Sequence, residues 1–372
     1  MVNRDLGVRE SEILEIIRSN PYISQQEIAD QVGLSRSSVA NIISGLIQRH
    51  YLLGRAYVLN GETPIVCIGG MNVDRKFYST EKLVMNTSNP VQASSSVGGV
   101  CRNIAENLGR MEQDIVMLSL AGEDSEWELI KEVSKPYMSL KYVEQTKKYP
   151  TSSYTAILDV DGQMQLALAN MDICDAMTIA WLQRHQTLVS RAKAVIADLN
   201  APLETTEYLI QLCREKEVPL AIIPVSSPKM NRLPKSLVGV EWLIVNQDES
   251  EAYFGVQVQT DEEFYQLADN WLAVGVKNVV LTRGGESVYY AGDDGSRLEI
   301  HPKKQEQYVD ATGAGDSFAA GVLFGWLNNY DVKDVLQFGL TNAYYTIQSL
   351  DTVRKNLTKN QLIIEKESLY HE

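Results

Sequence analysis

The stretch Asp310-Ala311-Thr312-Gly313-Ala314-Gly315-Asp316 lies directly before residues 318–327, whose apolar composition predicts a helix. Its glycines would leave bare backbone N–H groups at the start of that helix, where an anion such as phosphate can bind. Asp316, in the same turn, could take a proton from an attacking hydroxyl while those N–H groups stabilise a transferring phosphoryl group. Taken alone, the segment is explained more simply as a glycine-rich turn whose aspartate stabilises the helix dipole.

Upstream of this loop, short apolar runs alternate with segments of helical periodicity, which predicts a parallel sheet covered by helices. The predicted strands are residues 65–68, 115–118, 194–197, 220–223, 242–245 and 279–282. Two stretches, at about 74–84 and 151–170, break this rhythm with alternating residues. They predict a small β-sheet that covers the cleft as a lid, with Asp161-Gly162 as a hairpin turn.

The N-terminal residues follow a different pattern. Between residues 11 and 51 the apolar residues fall into three short groups at helical spacing, with Ser24 and Glu27 as a capping box and Gly33 as a tight turn before Ser35. These features predict a helix-turn-helix. Residues 51–59 read as two short strands about a glycine, which would complete a winged helix-turn-helix domain over residues 1–60 and leave residues 61–372 as the second domain.

Charge and cysteine content restrict the possible partners. The formal net charge is −14, yet residues 1–60 hold six basic and six acidic residues, so the excess lies in the remainder, with 28 basic and 42 acidic. Bulk electrostatics therefore exclude nucleic acid as the partner of the larger domain. The four cysteines lack metal-binding spacing, and no apolar run is long enough for export or a membrane span. We expect a cytoplasmic protein.

Three segments resemble one enzyme family. Residues 310–316 are similar to the second signature of the ribokinase-like (phosphofructokinase-B) carbohydrate and nucleoside kinases, Asp-Thr-x-Gly-Ala-Gly-Asp, with Ala311 in place of the usual threonine. Ser96-Val97-Gly98-Gly99 with Asn103 resembles the first signature, and Asn246-Gln247-Asp248-Glu249 resembles the Asn-x-x-Glu motif. The resemblance covers about residues 64–350. It implies an α/β fold with a doubly wound, mainly parallel sheet and a β lid, and it implies an ATP-dependent kinase.

The resemblance also implies roles for individual residues at the acceptor site. Asp316 would be the catalytic base, beside an anion hole formed by Gly313, Ala314 and Gly315. The substrate site would contain Asn72, Asp74, Gly98, Gly99 and Asn103. Independently, a carboxylate such as Asp74 at the end of a strand suits two neighbouring sugar hydroxyls, because it only accepts hydrogen bonds. The alternative for Gly98 and Gly99 is a tight strand-to-helix turn with Asn103 as its cap.

For the nucleotide, the resemblance implies an ATP site that contains Asn246, Thr282, Gly284 and Asn342. Glu249 would organise hydrated Mg²⁺, whose preferred ligands are oxygens. Asp310 and Thr312 would help to hold a monovalent cation such as K⁺. Residues 246–250 could equally be a helix start, and a hydrogen bond that orders the loop is the alternative for Asp310 and Thr312.

The lid and one loop bear on the substrate. Residues 154–173 and 224–229 resemble pseudouridine kinases, and the loop departs from the Asp-Pro-Asn pattern of ribokinases. We therefore expect transfer to the 5′-hydroxyl of a nucleoside, with pseudouridine first. A kinase for another nucleoside or a free sugar of the ribose or fructose type is the alternative. The second alternative is a transcription regulator that uses the kinase fold as a nucleoside sensor.

The third predicted helix, residues 35–49, is the candidate for recognition of DNA. Its early exposed face carries four side chains able to reach bases or phosphates, namely Arg36, Ser37, Ser38 and Asn41. Arg49 and Arg55 would be available for contacts to the DNA backbone. A homodimer would be needed for useful affinity, because one such module buries little surface. Dimerisation or protein docking by this domain is the alternative.

Overall fold

The computed structural model describes residues 6–19, 23–49, 51–52, 63–304 and 308–370. The chain divides into two compact units, one up to Thr63 and one from Pro64 onward. Each unit has its own apolar core. The two units are therefore described separately.

The N-terminal unit contains the predicted helix-turn-helix. Its helices are α1 (Val8–Ser19), α2 (Gln25–Val32) and α3 (Arg36–Gln48). Ser24 and Glu27 form the predicted capping box at α2, Gly33 ends that helix in the left-handed conformation, and Ser35 caps α3. Most of the predicted wing lies outside the described residues, since only Tyr51 and Leu52 of that segment are described.

In the second unit, the described residues form a nine-stranded sheet in which all six predicted strands are present. The strands are β1 (Ile65–Ile68), β4 (Ile115–Gly122), β5 (Ser139–Thr146), β8 (Ala194–Asp198), β9 (Leu220–Ile223), β10 (Trp242–Asn246), β11 (Asn278–Arg283), β12 (Ser287–Gly292) and β13 (Arg297–Ile300). Their order in the sheet is β13-β12-β11-β10-β9-β8-β1-β4-β5. Neighbours from β5 to β11 pair in parallel, whereas β12 and β13 are antiparallel. The sequence prediction lacked β5, β12 and β13.

Helices cover both faces of this sheet, because its central strands are apolar on both sides and have to be shielded from water. The helices are α4 (Val100–Arg110), α5 (Ser125–Ser134), α6 (Ile179–Arg184), α7 (Gln186–Val189), α8 (Leu203–Glu215), α9 (Gln247–Phe254), α10 (Asp261–Ala273), α11 (Ala314–Leu327), α12 (Val332–Thr346) and α13 (Lys359–Tyr370). One core includes residues of α4, α11 and α12, and the other includes residues of α8 and α10. The predicted doubly wound fold is confirmed.

A separate four-stranded sheet forms the lid. Its strands are β2 (Asn72–Ser79), β3 (Val91–Gly98), β6 (Ser152–Leu158) and β7 (Met164–Asn170). They lie in the order β3-β2-β6-β7. The second predicted lid segment is confirmed. The first differs, because β2 ends at Ser79 and pairs with β3, which the prediction lacked, as well as with β6. The run of serines in β3 carries no apolar alternation that would have indicated a strand.

None of the helices in the described ranges is long and apolar enough to cross a membrane. All four cysteines lie in described, buried positions and are unpaired.

Candidate active site

The loop before α11 is a tight turn that ends at Gly313. Gly313 has φ 82°, and a side chain there would come within 2.2 Å of the Thr352 carbonyl oxygen, so this position requires glycine. The Ala314 N–H donates to the Ala311 carbonyl at 3.0 Å, and the Ser317 N–H donates to that of Gly313 at 2.9 Å.

This turn modifies the predicted anion hole. The N–H groups of Gly315 and Asp316 have no hydrogen-bond partner among the described residues, and neither has that of Gly313. The predicted donor Ala314 is already used within the turn. The N–H of Asp316 therefore replaces that of Ala314 as a candidate donor to an anion.

Asp316 lies at the start of α11 and is half-buried. Its Oδ2 accepts a hydrogen bond of 2.8 Å from Asn103 Nδ2. Burial raises the pKa of Asp316 to about 6; the Asn103 bond and the charge of Arg102 oppose that rise, and the charges of Asp198 and Asp74 add to it. A carboxyl group with this pKa can act as a general base near neutral pH.

Asp316 faces a cavity of about 230 Å³, which we call the inner pocket. Its polar and apolar lining includes Asn72, Asp74, Gly99, Asn103, Ser152, Tyr154, Met171 and Asn200. Asn72 Nδ2 donates to Asp74 Oδ1 at 2.5 Å. Burial raises the pKa of Asp74, and the Asn72 bond and the charge of Lys76 partly offset that rise. Four of the five predicted substrate residues therefore line one pocket with Asp316.

Gly98 is the predicted substrate residue that does not line the inner pocket. A side chain at Gly98 would come within 2.1 Å of Asp74 Oδ2, so this glycine leaves space for the carboxylate. Gly99 has φ 106°, and a side chain there would come within 2.5 Å of the Gly70 carbonyl oxygen. Gly99 is the N-cap residue of α4, which excludes Asn103 as the cap of this helix.

A larger cavity of about 1070 Å³, which we call the wide cleft, opens beyond the carboxyl ends of β10 and β11. Three predicted ATP residues line it, namely Asn246, Thr282 and Gly284. Asp316 lines both the wide cleft and the inner pocket. The two cavities therefore meet at this carboxylate.

The prediction for Asn342 is wrong. Asn342 is fully buried, and its Nδ2 donates to Asn107 Oδ1 at 2.9 Å and to the Ser317 carbonyl at 2.8 Å. Its Oδ1 accepts from Arg354 at 3.1 Å. Position 342 lies on the face of α12 that packs on α11 and α4, whereas the next residues, Ala343 and Tyr344, line the wide cleft.

Glu249 lines the wide cleft and also caps α9. Its Oε2 accepts from the Asn246 N–H at 3.0 Å, and Asn246 Oδ1 accepts from the Glu249 N–H at 2.8 Å. The helix start considered as an alternative is therefore present. Glu249 Oε1 accepts no hydrogen bond from described residues, and burial raises the pKa of Glu249 to about 7.

This arrangement fits a weakly held Mg²⁺. Among the described residues, no group of three or more His, Cys, Asp or Glu side chains could hold a metal. Magnesium is often bound through one carboxylate, waters and substrate phosphates, which one open oxygen of Glu249 beside the wide cleft would permit.

Asp310 and Thr312, the predicted cation residues, form a closed set of contacts. Asp310 Oδ1 accepts from the N–H and hydroxyl of Thr312 at 2.8 and 2.7 Å, so the ordering hydrogen bond is present. Asp310 Oδ2 pairs with Lys76 Nζ at 3.3 Å. The carboxylate of Asp310 therefore already has a positively charged partner, the ammonium group of Lys76.

Sequence reasoning missed Asp198, the last residue of β8, and Asn200, which lies two residues after it. Asp198 is buried and accepts from the N–H groups of Gly70, Cys101 and Asn200 at 3.0, 3.3 and 2.9 Å. Asn200 Nδ2 also donates to Asp198 at 2.8 Å, while Asn200 Oδ1 has no partner within the described part of the chain. An Asp-x-Asn directly after a buried parallel strand was the available signal.

On α3, Arg36, Ser37 and Asn41 are exposed, and Ser38 is half-buried. The hydroxyls of Ser37 and Ser38 lie 2.9 and 2.8 Å from that of Ser35. Arg49 is exposed, and it pairs with Glu10 at 2.5 Å and donates to the Gly45 carbonyl, so a contact with the DNA backbone would compete with these bonds. Arg55 lies outside the described residues.

A mainly parallel sheet with a β lid and an acidic group between two cavities is typical of a small-molecule kinase. Residues 62–359 match the pfkB family of carbohydrate kinases, and residues 9–52 match a winged helix-turn-helix DNA-binding family. The chain belongs to the pfkB family. It is an ATP-dependent phosphotransferase with an alcohol group as acceptor, and pfkB kinases generally use ATP with Mg²⁺.

Individual relatives agree with this assignment. The chain is 30% identical to the uncharacterized sugar kinase YeiI of Escherichia coli, over 90% of this chain and 92% of that protein. It is 31% identical to the pseudouridine kinase of the same organism, over 74% of this chain and 87% of that protein. A putative sugar kinase from Clostridium perfringens superposes with a TM-score of 0.73 at 25% identity, over 83% of this chain and 97% of that one.

Proposed function

We propose that this enzyme transfers the γ-phosphoryl group of ATP to the 5′-hydroxyl of a nucleoside, with pseudouridine first. The observation that carries the proposal is that Asp316 lines both cavities, so one carboxylate reaches the acceptor in the inner pocket and the phosphates in the wide cleft. The products are the nucleoside 5′-monophosphate and ADP.

Each step of the transfer has a candidate group. Asp316 takes the proton of the 5′-hydroxyl, and the free N–H groups of Gly315 and Asp316 donate to the charge that develops on the phosphoryl oxygens. Asp74 accepts hydrogen bonds from the ribose hydroxyls and orients the nucleoside. Glu249 would hold hydrated Mg²⁺, which neutralises phosphate charge when bound.

The lining of the inner pocket supports an acceptor larger than a free sugar. Beyond Asp74 it offers the aromatic ring of Tyr154, the thioether of Met171 and the hydroxyl of Ser152. The free Oδ1 of Asn200 adds an acceptor for a substrate N–H or O–H. A flat heterocycle with N–H groups matches these side chains. The 31% identity to a pseudouridine kinase supports the proposal of pseudouridine ahead of other nucleosides.

An ADP-release assay over a panel of nucleosides and free sugars tests this function. We expect the highest kcat/KM with pseudouridine, and a fall of about 10³-fold in Asp316→Asn, because a general base contributes on this order. Asp334→Asn, at a half-buried position in the first turn of α12 that lines neither cavity, is the matched control and should keep the wild-type rate. A higher kcat/KM with a free sugar than with any nucleoside would contradict the proposed substrate. Absence of turnover with every acceptor would favour the sensor role.

For the N-terminal unit, we propose DNA binding through α3. Arg36 and Asn41 are exposed on this helix and are the side chains best placed to meet a groove. Selection of sites from a random DNA pool with the full chain, followed by anisotropy titration, tests this role. Arg36→Ala should weaken binding about tenfold or more, and Arg18→Ala, whose partner is Glu15 on α1, should not. A pool that yields no preferred site would contradict it.

We also propose that two copies associate through the outer lid face, defined by Phe77, Ile157, Leu166 and Leu168. The strand register puts these residues on one side of the lid, opposite Asp74 and Tyr154. Leu166 and Leu168 are 49% and 55% exposed. An exposed apolar sheet face of this kind is typical of an interaction surface.

A further inference from the structure

A buried polar cluster on α4 and α5 contacts the candidate base through Asn103. Its other members take no part in the transfer proposed above. At its centre is Arg102, which is 1% exposed. Its Nε donates to Ser134 Oγ at 3.0 Å, one terminal nitrogen donates to Asn103 Oδ1 at 3.0 Å, and the other pairs with Glu106. Glu106 is held in turn by Arg110 at 2.7 Å. The guanidinium is therefore fixed in position on three sides.

This contact determines which way the Asn103 amide points. A carboxamide has a donor end and an acceptor end, whereas a guanidinium only donates and a carboxylate only accepts. Asn103 lies between one of each, with Oδ1 on Arg102 and Nδ2 on Asp316 Oδ2 at 2.8 Å. A reversed amide would set N–H groups against the guanidinium and an oxygen against the carboxylate. Arg102 therefore selects the orientation in which Asn103 donates to Asp316.

We propose that Arg102 is a positioning residue for phosphoryl transfer, which fixes the Asn103 amide so that Asn103 keeps Asp316 oriented and ionised as the base. The inference rests on the proposed role of Asp316. Arg102 touches neither cavity, so it acts through Asn103 and through its charge. Loss of Arg102 should leave the binding of both substrates nearly unchanged and should weaken the base.

The charges around Asp316 explain why this support matters. From β8, Asp198 faces Asp316, and from the lid, Asp74 does so; both carboxylates disfavour a further negative charge. Lys76, next to Asp74 on the lid, is paired with Asp310. Arg102 on α4 favours the ionised form of Asp316. Without it, Asp316 should hold its proton to higher pH.

The test compares Arg102→Lys with the wild type in kcat/KM between pH 5 and 9.5. Lysine keeps the charge but cannot hold Asn103, Glu106 and Ser134 together with a planar fork. The charge near Asp316 is retained, so this variant tests the hold on the Asn103 amide, whose hydrogen bond favours the ionised form of Asp316. We expect the loss of that bond to move the acidic limb up by about one pH unit, which lowers activity roughly five- to tenfold at pH 6 and restores most of it by pH 9. KM for ATP and for the acceptor should change less than about twofold.

Ser134→Ala is the matched control, because it removes a partner of Arg102 on the side away from Asn103. It should lower stability and leave the pH profile unchanged. A purely structural role for Arg102 predicts the same loss of activity at every pH, and that result would overturn the inference. An unmoved acidic limb in Arg102→Lys would also overturn it.

A second measurement does not require turnover. Carbon-13 NMR of aspartate carboxyl groups, with Asp316 assigned from the signal missing in Asp316→Asn, gives its titration directly in the wild type and in Arg102→Lys. The inference requires a higher midpoint in the variant, and equal midpoints would contradict it. If the wild type phosphorylates no acceptor, the proposed function fails, whereas the titration still decides whether Arg102 supports the ionised form of Asp316.

Discussion

Asn103 donates a hydrogen bond of 2.8 Å to Asp316, a residue 213 positions later in the chain. The bond joins the start of α4, which follows the lid strand β3, to the first turn of α11. The Asn103 amide thereby connects the helix that follows the lid with the helix that carries the candidate base. Arg102 fixes the orientation of this amide. The predictions below concern the charged groups around this connection and the surfaces that the fold leaves exposed.

The first prediction concerns the cost of keeping Asp316 ionised. Because burial raises its pKa to about 6, its contribution to stability is present at acidic pH and is lost as the pH rises through 6. Asparagine carries no charge, so Asp316→Asn should raise the free energy of unfolding at pH 8 by roughly 1–3 kcal/mol. The gain should shrink towards zero at pH 4. Chemical denaturation at both pH values measures it.

Asp310→Asn is the control of opposite sign. Partial burial alone would raise the pKa of Asp310, but the bonds from Thr312 and the charge of Lys76 outweigh it and lower the pKa. Its contribution to stability is therefore present above the unfolded pKa and is lost only under acidic conditions. Asp310→Asn should destabilise the protein at pH 8. A gain in both variants would contradict this assignment of the two carboxyl groups.

The second prediction concerns Asp74 as the group that binds the acceptor. Asp74→Asn keeps the size of the side chain but replaces a charged acceptor with a neutral amide. We expect kcat/KM for the nucleoside to fall by about 10²-fold, since hydrogen bonds to a charged group contribute about 1.5–3 kcal/mol. KM for ATP should be unchanged. Steady-state kinetics with each substrate varied in turn measure both effects.

Ser96 offers a matched control for Asp74, because it lies opposite Asp74 in the lid register and does not line the inner pocket. Ser96→Ala should keep wild-type kinetics. An equal rise of KM for ATP and nucleoside in Asp74→Asn would indicate a disturbed lid rather than a lost contact with the acceptor.

The third prediction concerns the buried ion pair between Arg354 and Glu365, which joins the segment after α12 to α13. Its two hydrogen bonds measure 2.8 and 2.6 Å, and both side chains are shielded from water. Arg354→Met leaves the Glu365 carboxylate buried without its partner and should cost about 3–5 kcal/mol of unfolding free energy. The double variant Arg354→Met with Glu365→Leu should recover most of this loss.

Tryptophan fluorescence during guanidinium unfolding reports the unfolding of the second unit, which contains the ion pair, because all five tryptophans lie beyond residue 63. The exposed pair of Lys355 and Asp351, at 3.0 Å, provides the control. Lys355→Met should change stability by less than about 0.5 kcal/mol. A similarly small effect of Arg354→Met would show that the buried pair is dispensable.

The fourth prediction concerns the outer lid face. If two copies associate there, a buried charge in place of Leu168 should separate them, because a carboxylate in an apolar interface loses its hydration. Sedimentation velocity should give twice the mass of one chain for the wild type and a single mass for Leu168→Asp. Leu203→Asp, at an exposed leucine on α8, should keep the larger mass. A wild type with the mass of one chain would contradict the proposal.

Much of the fold followed from local sequence. The six predicted strands and the three N-terminal helices were found because apolar periodicity and caps act over a few residues. The strands β12 and β13 and the serine-rich β3 were missed, because their stability comes from pairing with neighbours rather than from their own pattern. The loop from Asp310 to Asp316 was assigned to the start of a helix for the same local reason, and α11 begins there.

The sequence by itself determined which functional groups are available for binding and catalysis. These are a carboxylate beside bare backbone N–H groups, an acceptor-only aspartate after a strand, and glycines at the turns. The tertiary structure alone decided which groups face the cavities. Asn342 points into the core because the face of α12 that carries it packs against α4 and α11. The Ala314 N–H donates within its own turn and is not available to a ligand. Asp198 reaches the site only because β8 lies beside β1. Helix rotation and strand order depend on packing between distant segments, which short-range patterns do not contain.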